Sequence, residues 1–398
     1  MTNYFTAKQA AEHLGVSLQT LYAYVSRGLL HAEPGKTHRE RRYRVVDVER
    51  LAVQRTRGRK PKEVAKAALD WGTPVLESAI TLIEDGRCYY RGRDALTMAQ
   101  TASVEATAGW LWQCDEATAF GDGGLPRASD WPVLTLESYR SQRAEAALLP
   151  CFTVASDDAS TAIWQRDPIR VAQGSGALLR LMTACLLGTA PSTASIHEQC
   201  ASAWGIDDAE GADLIRMALV LCADHELNAS SFTARCVAST GASLRASVIA
   251  GLAALTGTRH GGTTARNEAM WEEVGEVDIA ARMGARLARG EKLPGFGHHL
   301  YPAGDVRASA MLARVLPAHP AWQTIIDTAD ALLGQRPSLD FALVAVRRHL
   351  QLPLGAAFGL FALGRTIGWI AHALEQRDST RLIRPRAAYV GVPPSQDD

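Results

Sequence analysis

From Val64 onward, apolar residues recur three and four positions apart in an alanine-rich background, with few alternating β-branched runs. That period predicts a body of packed amphipathic helices. One stretch breaks it. Ile80-Thr-Leu-Ile83, Glu84-Asp-Gly86 and Cys88-Tyr-Tyr90 predict a small hairpin over 79–90, turning at Asp85-Gly86. Near the other end, residues 352–374 are apolar and long enough to cross a membrane, with Arg365 in the middle. An arginine there would cost roughly 2.5–3.5 kcal/mol on insertion. The uninterrupted apolar run, Pro353 to Gly364, is too short to span. A core helix of a soluble body is therefore expected, with Arg365 facing an anion or a polar pocket. Two glycine-flanked histidine motifs, Gly257-Thr-Arg-His260-Gly-Gly262 and Gly295-Phe-Gly-His298-His299-Leu-Tyr301, bracket a charged segment, 265–291, that reads as helix.

The first sixty residues follow another pattern. Thr6-Ala-Lys-Gln9 has the form of a capping box opening a helix through Ala10, Ala11 and Leu14. Gly15-Val16 makes a turn, and Ser17 caps a second helix carrying Leu18, Leu21, Tyr22 and Val25. Ala11, Gly15 and Leu21 stand at helix-turn-helix spacing: a small contact residue, a turn glycine and an apolar lock. A basic loop then leads to a strand-like Arg41–Val45, and Asp47 opens a short helix, Val48 to Arg55. Arg55 to Lys62, with Gly58 and Pro61, reads as linker.

Charge separates these two regions. The net charge of the 398 residues is zero, yet residues 1–62 hold 13 Lys/Arg against 5 Asp/Glu, a net of +8, leaving −8 for the rest. A basic head on an acidic body points to an anionic partner for the head, with double-stranded DNA as the first candidate. A small helical head used for protein contacts is the plainer alternative. Seven cysteines at irregular spacing, with no C-x-x-C pair, argue against a disulfide framework or a zinc site. With no basic-apolar leader in Met1-Thr-Asn-Tyr-Phe, a reducing, cytoplasmic setting is expected.

The head resembles the winged helix-turn-helix domains of excisionases and of regulators related to mercury-resistance repressors. The resemblance implies that Gln19, Thr20 and Tyr24 of the second helix face the major groove, and that Arg39, Arg41, Arg42 and Arg44 hold phosphates.

The body resembles the citrate synthases over about 330 residues, through motifs that occur in that family's order. They are Ile83-x-x-Gly86 with Tyr90-Arg-Gly92, the Ala223-Asp-His225 to Arg235 run, and the two histidine motifs, the second running on to Asp305-Val-Arg307. Leu339-Asp340-Phe341, Gly364-Arg365 to His372 and Arg384 to Gly391 complete the series. The resemblance implies an all-α fold, with a large domain (65–260 and 361–398), a smaller domain (261–360) and the winged head (1–57) joined by a linker (58–64). It implies condensation of acetyl-CoA or propionyl-CoA with oxaloacetate, followed by thioester hydrolysis, with no metal and no cofactor beyond the acyl-CoA substrate. Asp340 matches the base, His260 the donor to the thioester oxygen and His298 the group that polarises the ketone. His225, Arg307, Arg365 and Arg384 match ligands of the oxo acid, with Arg384 reaching across a homodimer so that the sites are shared. Lys292 is placed near the CoA phosphates, and Arg347, Arg348 and His349 carry no assignment.

By residue type alone, Asp340 also fits a helix N-cap, His225 a core histidine on an apolar helix, and His372 a structural residue. Arg259 and His299 depart from the family's usual residues beside the two histidines and bear on substrate choice and rate. Two functions stay open at this point: an active synthase with DNA-reading heads, or a transcriptional regulator using the same pocket as a metabolite sensor.

Overall fold

The computed structural model describes residues 4–26, 29–34, 41–56, 76–126, 142–154, 159–379, 381–387 and 389–392. Arg39, the 58–64 linker and the tail from Pro393 fall outside them. The chain divides into two compact units, Met1–Glu77 with Arg384–Asp398, and Ser78–Ile383.

In the first unit, Thr6 and Gln9 form the reciprocal capping box, with Thr6 N donating to Gln9 Oε1 at 2.9 Å and Gln9 N to Thr6 Oγ1 at 3.3 Å. The helix Ala7–Leu14 ends on left-handed Gly15, and Ser17 Oγ accepts from Thr20 N at the start of Leu18–Ser26. A three-stranded antiparallel sheet pairs β1 (Tyr4–Thr6) and β2 (Glu33–Pro34) on either side of β3 (Arg41–Arg44), with Phe5 opposite Tyr43. The third helix begins at Val45 and runs to Thr56, so Asp47 lies inside its first turn rather than opening it. Ala10, Ala11, Leu14, Leu21, Leu30, Tyr43, Val48 and Leu51 close a small core.

Among its described residues the second unit is helical apart from the expected hairpin, β4 (Thr81–Glu84) and β5 (Arg87–Tyr90), which carries a further short strand, β6 (Arg93–Asp94). Tyr90 Oη reaches the carbonyls of Val220, Leu221 and Asp224 at 3.1–3.3 Å, fixing the hairpin to the end of helix Ala209–Cys222. The charged 265–291 segment is two helices, Thr263–Val274 and Ile279–Ala288, broken at Gly275 and at Asp278, both with positive φ.

Helix Ala356–Asp378 is the axis of the core. It is long and apolar enough to cross a membrane, yet 94% of its apolar window is buried inside the body. Helices Ala209–Cys222, Ala229–Ser239 and Leu244–Leu255 pack around it. Gly364 and Gly368 permit that approach. A Cβ at 364 would sit 2.6 Å from Leu219 O and from Cys222 Cβ, and one at 368 would sit 2.4 Å from Asp224 Oδ1. Their absence of side chains lets the backbone after Cys222 lie directly against Arg365.

Candidate active site

Of the seven residues matched to the base, the two donors and the oxo-acid ligands, six belong to the second unit and converge there. Their charges act on one another: Arg307 on Asp340, His225 and His298, and Arg365 on His260 and His225.

Asp340 lies in the first turn of helix Leu339–His349, and Ser338 holds the N-cap position, so the N-cap reading of Asp340 is wrong. Both residues are good cap formers, and the helix starts two residues earlier than Asp340 would set it. Asp340 is partly exposed as a residue, but its Oδ1 is shut off from solvent with no hydrogen-bond partner among the described residues. Oδ2 faces Ser338 Oγ at 3.4 Å. Burial pushes this carboxyl up to about 7, against the opposing pull of Arg307.

The turn bearing His298 is tied to the segment that precedes Asp340. Gly297 N donates to Arg336 O and Ser338 N to Gly295 O, both at 2.8 Å. Gly295 and Gly297 have φ of 83° and 78°, and a Cβ at 295 would collide with the Asn267 side chain at 2.5 Å. Phe296 then packs on Phe341, which stacks on Trp271. His298 Nδ1 accepts from Leu300 N at 3.2 Å, which leaves the ring proton of the neutral form on Nε2. Burial, then the charges of Arg307 and the exposed His299, lower His298 to about 4.

His260 sits in the Gly257–Gly262 turn, its Nε2 2.8 Å from Ser230 Oγ. Ser230 is in turn held by the Asn228 side chain, which caps helix Ala229–Ser239. Phe361 meets the imidazole edge-on, and burial followed by Arg365 lowers His260 to about 4. The departure at Arg259 is exposed.

His225 is buried, but in the connection between helices Ala209–Cys222 and Ala229–Ser239, not on an apolar helix. Its Nε2 lies 3.1 Å from Tyr301 Oη, and its ring is edge-on to His298 at 5.1 Å. Burial, then Arg307, His298 and Arg365, keep it uncharged.

The two arginines are anchored differently. Arg307 gives Nε and Nη2 to Asp305 at 3.0 and 2.8 Å, while Asp305 also caps helix Val306–Val315. Arg307 Nη1 is buried and has no partner among the described residues, so one edge of the guanidinium remains for an anion. Arg365 donates Nε to Cys222 O at 2.8 Å and lies over the Phe361 ring. The nearby Asp224 charge favours its cationic form against burial. Asp224 is held by Thr81 at 2.6 Å and His372 at 3.2 Å, which makes His372 a structural partner, as its type suggested.

Arg384 belongs to the other unit and is exposed, and Lys292 is exposed with its carbonyl accepting from Arg286 Nε. On the head, Gln19, Arg41 and Arg44 face solvent, while Thr20 and Arg42 are half-buried. Tyr24 packs against the small core, and Tyr22 is 50% exposed. Sequence reasoning missed Ser230, Tyr301, Asp305 and Asp224 as partners, although all four lie within the motifs already singled out.

Residues 68–386 match the family profile "Citrate synthase, C-terminal domain", and residues 4–56 match "Helix-turn-helix domain". Citrate synthase 2 of Bacillus subtilis is 39% identical over 184 residues, 44% of this chain and 50% of that protein. 2-Methylcitrate synthase 1 of Corynebacterium glutamicum is 34% identical over 208 residues, 48% of this chain and 54% of its own length. The chain thus spans about half the length of the curated relatives it matches. The crystal structure of citrate synthase from Thermotoga maritima superposes with a TM-score of 0.70 at 24% identity, covering 82% of this chain and 96% of the other. Citrate synthase from Thermoplasma acidophilum, in a ternary complex with carboxymethyl coenzyme A and oxaloacetate, gives 0.71 at 23% identity, with 84% and 98% covered. These two likenesses establish the fold, and the profile match over most of the chain establishes that it belongs to the citrate synthase family.

Proposed function

We propose that this chain condenses acetyl-CoA or propionyl-CoA with oxaloacetate, releasing citrate or 2-methylcitrate and free CoA. The observation that carries this reading is the gathering of the Asp340 carboxyl, three neutral histidines and two guanidiniums in one buried neighbourhood. A methyl proton beside a thioester is a weak acid, so its removal takes a matched base and a donor at the developing enolate oxygen. Asp340, raised to about 7 and with Oδ1 unengaged, is suited to take that proton. His260, neutral at physiological pH, would donate to the enolate oxygen. His298, with its proton on Nε2, would polarise the ketone. Arg307, through Nη1, and Arg365 would hold the oxo acid's carboxylates, with His225 as a further ligand. Water then hydrolyses the thioester, and closure of a smaller domain, 261–360, over the large one would exclude it until condensation is complete. Arg384 would complete the site from a partner subunit of a homodimer, and Lys292 would approach the CoA phosphates.

The head is read as a binder of double-stranded DNA, with Gln19 and Thr20 at the groove and Arg41, Arg42 and Arg44 on phosphates. It also favours a second reading, a cytoplasmic regulator that senses acyl-CoA or oxo acid with little turnover. Release of CoA from each thioester, with oxaloacetate, separates the two. Turnover by the native protein that is lost in Asp340→Ala supports the synthase. No release above background by the native protein overturns it.

A further inference from the structure

Tyr301 has no part in the chemistry above, yet it lies at the centre of the site. It is 2% exposed. Its ring sits 5.5 Å from that of His225, 5.2 Å from that of His298 and 5.5 Å from Arg307 Cζ. Its hydroxyl is 3.1 Å from His225 Nε2.

A phenol has one proton to give, and among the described residues the hydrogen-bond partner of this hydroxyl is His225 Nε2. A neutral imidazole nitrogen accepts strongly, whereas a ring N–H given to the phenol oxygen would leave the buried phenol proton without an acceptor among the described residues. The favoured arrangement is therefore Tyr301 O–H to His225 Nε2. His225 cannot satisfy the contact by becoming an imidazolium, because burial and the surrounding Arg307, His298 and Arg365 charges oppose it. With Nε2 accepting, its single proton must be on Nδ1.

We propose that Tyr301 is a positioning residue that locks His225 in the Nδ1–H tautomer, so that His225 offers a donor, not a lone pair, to the oxo acid. His298 is held the opposite way, since a backbone N–H occupies its Nδ1 and leaves the proton on Nε2. The two rings, edge-on to each other, thus present donors from different nitrogens, one set by the backbone and one by a phenol. Without the phenol, His225 would divide between tautomers, and one of them would set a lone pair against a substrate oxygen.

The proposal rests on the synthase reading for its substrate but can be tested apart from it. Tyr301→Phe keeps the ring packing and removes only the hydroxyl. In ¹⁵N-histidine-labelled protein without substrates, with the His225 signals identified by comparison with His225→Gln, native His225 should show the Nδ1–H pattern. Tyr301→Phe should show a mixture or the Nε2–H form. In turnover, Tyr301→Phe should raise KM for oxaloacetate roughly tenfold and leave KM for acyl-CoA unchanged, the loss expected for one hydrogen bond to a substrate-holding group. A native ring protonated on Nε2, or a tautomer unmoved by Tyr301→Phe, overturns the proposal, as does equal weakening of both substrates. If the native protein releases no CoA, the synthase reading fails while the ring signals still decide the role of Tyr301.

Discussion

In the body, Arg307, Arg365, Asp224 and Asp305 are each no more than 2% exposed, whereas Arg41 and Arg44 on the head's third strand face water. The body holds its charges with short fixed contacts: Asp305 on Arg307, Cys222 O on Arg365, His372 and Thr81 on Asp224. Buried ions of this kind seldom add stability over apolar packing, and removing one partner strands the other. Their presence in a core built mainly of alanine and leucine is therefore a mark of chemistry. Exposed arginines cost the fold little and act over a Debye length, so they suit contact with a polyanion and remain sensitive to salt.

The contrast breaks most easily at the base. Asp340→Ala should cut CoA release on the order of 10³-fold, measured by thiol titration, because a positioned base is worth that much. Residual activity within tenfold of native would transfer the base role elsewhere. Next comes the ion pair. Asp305→Ala leaves the buried Arg307 uncompensated and should lose about 3–5 kcal/mol in urea unfolding, whereas Arg44→Ala should stay within about 0.5 kcal/mol of native. Equal losses would erase the distinction between the two regions.

A third test uses protons. Asp340 keeps its proton up to about pH 7 in the folded chain, but an unfolded chain releases it near pH 4. The native state therefore binds more protons across that window, and its stability falls as pH rises through it. Asp340→Asn should melt higher than native above pH 7, by roughly 2–4 kcal/mol of stability, and this gain should vanish below pH 4. Turnover should rise over the same range as the base ionises. A gain independent of pH would show that Asp340 is not raised. The smallest effect is on the head. Arg41→Ala and Arg44→Ala should each lower the slope of log affinity for duplex DNA against log salt by about 0.9, with no change in melting temperature. DNA retention without any salt slope, or unaffected by loss of residues 1–62, removes the DNA reading.

Much of this was legible in the sequence, for reasons that differ by residue. Arg365 announced itself, because a charge inside an apolar run demands a partner. The capping box and the Asp85-Gly86 turn were legible because local chemistry decides them. Asp340 was misplaced by two residues because Ser338 competes for the same cap. His225 was taken for a helical residue because the apolar period of 209–222 runs smoothly into Ala223, and only tertiary packing ends the helix there. Tyr22 and Tyr24 differ in burial through the rotation of one short helix against a core drawn from the neighbouring helices and Tyr43 of β3. The Asp305–Arg307 pair depends on a cap folding a carboxylate back over its own second neighbour, which spacing alone does not reveal.

The glycines of helix Ala356–Asp378 bear on how this protein could be engineered. Replacing helical glycine with alanine is an ordinary route to thermostability. At 364 the added methyl would meet Leu219 O and Cys222 Cβ, and the helix could accept it only by withdrawing from the chain segment that Arg365 holds. A stability screen that scored helix propensity would select this change, and a screen that scored turnover would discard it. Position 364 is thus where the two selections should part, although no substrate touches it.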